Sequence, residues 1–262
     1  FSTQPIGEVL TKLHDAITSA TPPSSELILF PAIAGVFDPP YRLFKGSLKQ
    51  IDYYLAQPTS IHDAAPLAKF WHPEGGEFLK PTELPVGTKI DIPLLVAIPA
   101  DEGLRPTNVD LLPLGWPTVI FQHGITSDRT NILGVAESLT QRGFAVVAID
   151  LPLHGIANTD NPLMAVLRDP VLERHFFLDL ATEDGSTVAA GPDNKTDSSG
   201  RHFINLSNLL VTRDNNRQAI TDLFSLKKAL SVMEYDGNSA SVDFDENRVF
   251  FVGHSLGAIV GI

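Results

Sequence analysis

From residue 117 onward, short and continuously apolar runs alternate with stretches whose apolar residues recur every three or four positions. Thr118-Val119-Ile120-Phe121, Phe144-Ala145-Val146-Val147-Ala148-Ile149 and Arg248-Val249-Phe250-Phe251-Val252 are blocks of the first kind. Their length and their bounding turn residues fit strands buried on both faces. Between them, Ile132, Leu133, Ala136 and Leu139 share one helical face, with Gly143 as the stop. A later helix over about residues 215–233 turns Ile220, Leu223, Phe224, Leu230 and Met233 inward. Strand, helix, strand, helix, strand with solid apolar strands predicts an α/β fold: a mostly parallel sheet with helices on both faces.

The first part of the chain has a different texture. Ile6, Val9, Leu10, Leu13 and Ile17 fall at helical spacing, and Thr21-Pro22-Pro23-Ser24-Ser25 ends that helix. A Pro-punctuated region with one strand-like segment, about 48–55, runs to Pro85. Ile90, Ile92, Leu94, Val96 and Ile98 then alternate strictly, and Pro93 within them argues for an edge strand. The expected organisation is a 1–85 region, helix plus irregular and β structure, packing on a hydrolase-type unit at 86–262. Residues 151–213 are too long for an ordinary connection. They divide into an apolar part (Leu163, Met164, Val166, Leu167, Phe176, Phe177, Leu178) and a polar part at 185–200. Inserted after the C-terminal end of a strand, they are read as a lid or cap.

Charge narrows the partners. The net charge is −12, with no block of Lys or Arg, so a polyphosphate backbone would be repelled and nucleic acid is excluded as a partner. With no cysteine, there is no disulfide, thiolate nucleophile or Cys-based metal site. Asp193-Asn194-Lys195-Thr196-Asp197 has a lysine where a calcium loop needs a ligand, and no His pair has zincin spacing, so neither metal nor cofactor is expected. The chain opens on Phe1 with no basic segment or apolar leader after it, and is read as a piece of a longer product.

The chemistry concentrates at Gly253-His254-Ser255-Leu256-Gly257, directly after the third apolar strand. A serine flanked at two positions on each side by glycine, between strand and helix, is the pattern of a nucleophile elbow. Gly253 and Gly257 leave room for a turn that lifts the Ser255 hydroxyl clear of the sheet. The Leu256 N–H then faces a developing oxyanion. A second donor should follow the strand at 118–122, where Gly124 lets the chain bend and the Ile125 N–H is the candidate. His123, His154 and His254 are read as supporting or structural residues rather than as the base. The order Ser, acid, His along the chain places the acid and the histidine beyond Ile262. Apolar residues of 151–180 are expected to line an acyl pocket.

Together, Gln122-His123-Gly124, Asp150-Leu151-Pro152-Leu153-His154-Gly155 and the elbow resemble an α/β-hydrolase, over about residues 86–262. More narrowly, Phe1-Ser2-Thr3-Gln4-Pro5-Ile6, Gly46-Ser47-Leu48 with Tyr53-Tyr54-Leu55, and Arg213-Asp214-Asn215 with Arg217-Gln218 are similar to bacterial extracellular, virulence-factor-type lipases. The resemblance implies an extracellular or cell-surface serine carboxylic ester hydrolase acting on lipid esters, in transient contact with a lipid surface. It also implies an incomplete hydrolase sheet, truncated just after the elbow and with further sequence on both sides. On this reading the Ser255 strand is an exposed apolar edge open to self-association, and the excised chain turns over little or nothing. Thioesterase, acyltransferase and phospholipase chemistry share the same motif, and a non-catalytic fragment is the alternative of a different class.

Overall fold

A computed structural model of the chain describes residues 7–108, 114–184, 187–238 and 242–261. Phe1–Ile6, which carry one of the lipase-like motifs and the first apolar residue of the opening helix, lie outside the described residues. In chain order the elements are α1 (Glu8–Ser19), β1 (Ser25–Leu29), β2 (Tyr41–Tyr53), α2 (Ala65–Ala68), β3 (Thr88–Pro99) and β4 (Trp116–Gln122). There follow α3 (Leu133–Thr140), β5 (Ala145–Ile149), α4 (Pro162–Leu167), a hairpin of β6 (Ala181–Asp184) and β7 (Thr187–Ala190), α5 (Leu209–Ala229), β8 (Phe244–Gly253) and α6 (Leu256–Val260).

Six strands form one mixed sheet in the order β1-β2-β3-β5-β4-β8. The three apolar blocks of the sequence make its parallel part, β5-β4-β8, while β1, β2 and β3 extend it as antiparallel neighbours. The sheet is covered on both faces because alternate residues of each strand point opposite ways. Leu94, Val96 and Ile98 of β3 join Ile120, Val147 and Ile149 against Ala219, Leu223 and Leu226 of α5. Leu95 and Ala97 join Val119, Phe121, Val146 and Ala148 against Ile132, Ala136 and Leu163 on the other face. Val9, Leu13 and Trp71 form a smaller core with Tyr53. The fold class is α/β, as the strand and helix pattern predicts.

Two expectations change. β3 is an inner strand, lying between β2 and β5, rather than an edge. Pro93 is tolerated because it stands opposite Ser47 and one residue before the 94–97 segment that pairs with β5. At that point β3 has a neighbour on one side only. The strand-like segment at 48–55 begins earlier, at Tyr41, and pairs with β3 along most of its length.

The last strand positions the chemistry. β8 pairs in parallel with β4, ending at Gln122 opposite Gly253. Among the described residues no strand pairs with its other edge, and Phe250 and Val252 are 51% and 40% exposed.

Candidate active site

Because β4 and β8 end in register, the loops that follow them start side by side. The ladder runs one residue further, where the His254 N–H donates to the Gln122 carbonyl at 2.9 Å. The turn that follows is tight for steric reasons. A Cβ on Gly257 would lie 2.2 Å from the Gln122 carbonyl oxygen, and one on Gly253 would lie 2.5 Å from the Ala258 nitrogen. Neither is a contact that a side chain can survive. Ser255 between them adopts φ +53° and ψ −119°, a conformation that costs a non-glycine residue of order 1–3 kcal/mol. Its side chain is exposed and has no hydrogen-bond partner among the described residues. Leu256 starts α6 immediately after it.

The facing loop belongs to β4. A Cβ on Gly124 would stand 3.0 Å from the Ser255 Cβ and 3.0 Å from the His254 carbonyl oxygen, so only glycine lets the two turns approach this closely. The next residue is Ile125. Neither the Ile125 nor the Leu256 N–H has an acceptor among the described residues. The two N–H groups without an acceptor thus belong to the residues that directly follow Gly124 and Ser255.

The histidines divide by environment. His123 is fully buried, donates from Nδ1 to the Gly124 carbonyl at 2.8 Å and accepts the Leu151 N–H on Nε2 at 3.1 Å. Both nitrogens are used, and burial holds its pKa below the usual histidine value. His154 is also buried and donates from Nδ1 to the Pro152 carbonyl at 2.8 Å. Burial first, then the neighbouring His123, pushes its pKa down to about 3. Its Nε2 has no partner among the described residues and is packed against Gly200. His254 is exposed, with Nδ1 beside Gly124. Among the described residues, no histidine or carboxylate is hydrogen-bonded to Ser255.

Behind the loop lies an ionic cluster that the sequence pattern did not disclose. Asp150, at the end of β5, accepts the Arg129 N–H at 2.6 Å and the Arg129 Nη1 at 2.5 Å. Arg129 also donates to both oxygens of Glu173, at 2.6 and 2.9 Å. Glu173 in turn accepts the Ile156 and Asp169 N–H groups. Arg174 reaches Asp222 on α5 at 2.6 Å and donates to the Asp150 carbonyl at 2.7 Å. These buried pairs tie the start of the insert to the sheet and to α5. The lipase-like motif on α5 is likewise structural in its contacts. Asp214 accepts the Trp71 N–H at 2.9 Å, Asn215 donates to the Phe203 carbonyl, and Gln218 bridges Tyr54, Asp52 and Asp222.

The expected apolar acyl pocket is not where the insert's apolar residues go. Leu163, Met164 and Leu167 pack into the core on the α3 face of the sheet. Phe176 packs toward Tyr53, Phe177 lies against the Arg168 guanidinium, and Leu178 is buried. These residues anchor the insert. The end of the polar part reaches the 124–127 loop instead: Ser198, Ser199 and Gly200 line a cavity of about 460 Å³ with Ile125, Thr126, Glu183, Arg201 and Ile204. The carboxylates of the acidic turn at 193–197 are taken up within the fold: Asp193 accepts the Lys195 N–H, and Asp197 accepts those of Leu180 and Ala181 and lies 2.7 Å from the His202 Nε2.

No family model matches the sequence, and no curated protein matches it. Solved structures do. An acetyl xylan esterase from Paenibacillus sp. R4 is similar over 99% of this chain and 55% of its own, with 12% identity and a TM-score of 0.41. A protein from Klebsiella pneumoniae subsp. pneumoniae MGH 78578, assigned as a dienelactone hydrolase, is similar over 64% of this chain and 46% of its own, with 18% identity and a TM-score of 0.31. The chain spans about half the length of either. Strand order and direction, with the turn after β8, make a mixed α/β sheet whose last parallel strand leads directly into a helix.

Proposed function

We propose that this chain carries the nucleophile half of a serine carboxylic ester hydrolase, with Ser255 as nucleophile and the Ile125 and Leu256 amides as oxyanion donors. The supporting observation is the exposed Ser255 on a strained strand-to-helix turn that closely approaches Gly124, with the Ile125 and Leu256 N–H groups lacking acceptors among the described residues. Ser255 Oγ adds to the acyl carbon while its proton passes to a base, and the carbonyl oxygen becomes the oxyanion between the two amides. Collapse of the adduct expels the alcohol, which takes up that proton. Water then releases the acid from the acyl-enzyme by the same route. Each amide donor is worth roughly 2.7–4 kcal/mol in the transition state.

His123 uses both ring nitrogens on main-chain partners, and His154 is buried with its Nε2 packed against Gly200, so neither is placed to take the serine proton. On this proposal the base and its carboxylate partner belong to sequence outside residues 1–262, so residues 1–262 alone are expected to turn over little ester. Lipid esters as substrates, and an extracellular or cell-surface location, are proposed on the resemblance of the α5 and β2 motifs to bacterial lipases. The test is hydrolysis of p-nitrophenyl butyrate and palmitate by the natural protein that carries this chain. Turnover that vanishes in Ser255→Ala supports the reading. Turnover that survives in Ser255→Ala overturns it.

A further inference from the structure

We infer that His123 positions the Ile125 amide as an oxyanion donor, by fixing the Gly124–Ile125 peptide to the end of β5 through its imidazole ring. This rests on the ester hydrolase reading above and adds a positioning residue to it. The Gly124 carbonyl and the Ile125 N–H belong to one planar trans peptide, so they point in opposite directions. Whatever holds the carbonyl therefore aims the N–H. His123 Nδ1 lies 2.8 Å from that carbonyl oxygen, and the ring is fully buried. The carbonyl is thereby directed at the buried ring and the N–H away from it, directly after the glycine that closely approaches Ser255.

The imidazole can donate there in one tautomer only. Its Nε2 accepts the Leu151 N–H at 3.1 Å, and a main-chain N–H is always a donor, so the ring proton sits on Nδ1. Asp150 Oδ1 stands 3.7 Å from Nε2, beyond hydrogen-bond reach, and accepts the Arg129 N–H instead. The bonds thus run from the Leu151 N–H to Nε2, and from Nδ1 to the Gly124 carbonyl. They refer the β4 loop to the end of its parallel neighbour β5. Gln122 makes a similar tie one residue earlier, where its Nε2 donates to the Ile149 carbonyl at 3.2 Å. His154 packs beside the His123 ring, with centroids 5.1 Å apart. The Ser127 N–H also donates to the Gly124 carbonyl, at 3.3 Å. That bond lies within the loop and moves with it, whereas the imidazole ties the peptide to the sheet. The oxyanion forms only as the reaction proceeds, so a displaced Ile125 amide leaves binding of the intact ester unchanged. Loss of His123 should be read in kcat rather than in KM.

The test is hydrolysis of p-nitrophenyl butyrate by the natural protein and by three variants at this position. His123→Leu removes both bonds. His123→Asn puts an amide NH2 where Nδ1 stands and keeps the Gly124 bond, whereas His123→Gln reaches the Leu151 N–H and keeps that bond instead. In His123→Leu and His123→Gln, kcat should fall about tenfold or more with KM within about twofold of wild type. His123→Asn should recover most of that loss. The inhibition constant of an alkyl trifluoromethyl ketone, whose adduct with Ser255 carries the oxyanion, should rise in step with the fall in kcat. Circular dichroism identifies the variants that fold, and where His123→Leu does not, the Asn and Gln variants decide. A wild type that neither hydrolyses the ester nor takes a fluorophosphonate on Ser255 overturns the hydrolase reading and this inference with it. A hydrolysing wild type whose Asn and Gln variants have equal kcat, whose losses fall on KM, or whose His123→Asn variant does not fold overturns this inference alone.

Discussion

Gly124 and Ser255 meet across the ends of β4 and β8: a Cβ on the glycine would stand 3.0 Å from the serine Cβ. The two loops are thus spaced by the absence of one carbon atom. Gly124→Ala should push the Ile125 amide away from Ser255 by a few tenths of an ångström. Stability should fall by only about 1 kcal/mol, while the rate constant for fluorophosphonate labelling of Ser255 falls about tenfold or more. Gly257→Ala makes a harder contact, 2.2 Å from the Gln122 carbonyl oxygen, and should cost about 3 kcal/mol in chemical denaturation.

The backbone of Ser255 stores strain that glycine would relieve. With φ +53° at this position, Ser255→Gly should raise stability by up to about 1 kcal/mol, whereas Ser255→Ala should leave it near wild type. Both remove the hydroxyl and should abolish labelling. Thermal unfolding of the two variants beside wild type reads the difference.

The elbow and the three parallel strands were legible because each follows from a local demand. A sharp turn leaves room only for glycine at 253 and 257, and a strand buried on both faces has to be apolar throughout. What was missed depends on distance. Arg129 and Glu173 are 44 residues apart, and nothing near either announces the pair. The start of α5 was placed late because its buried face is polar there: Asp214, Asn215 and Gln218 turn inward to hold other segments. Leu163 and Leu167 looked like pocket lining for the opposite reason, since apolar character marks burial without saying against what. Pro93 signalled an edge that exists only locally, where β5 has ended.

The Arg129, Asp150 and Glu173 cluster is buried, so removing its cation is expected to cost more than removing an exposed one. Arg129→Met strands two carboxylates and should lower the unfolding free energy by about 3–5 kcal/mol. It should also expose the insert near residues 156–173 to limited proteolysis before global unfolding.

The buried histidines set an acid limit. His123, His154 and His175 are each held below the usual histidine pKa by burial, His154 down to about 3. As the pH falls through about 6.5, the unfolded chain takes up protons on these residues that the folded chain refuses. Stability should be fully present above about pH 7.5 and decline below about pH 6.5, with a limiting slope of about 1.4 kcal/mol per pH unit for each histidine. Guanidinium unfolding at about pH 7.5 and about pH 5.5 measures it. His154→Asn, which keeps a donor toward Pro152, should flatten the slope by one proton's share.

The central claim is that the hydroxyl of Ser255 is a nucleophile. Treating the natural protein with a fluorophosphonate and mapping the adduct by peptide mass spectrometry tests it most directly. The account predicts a single phosphonylated residue, Ser255, with no adduct in Ser255→Ala. A folded protein left unmodified at Ser255, or labelled instead at another serine, would contradict it.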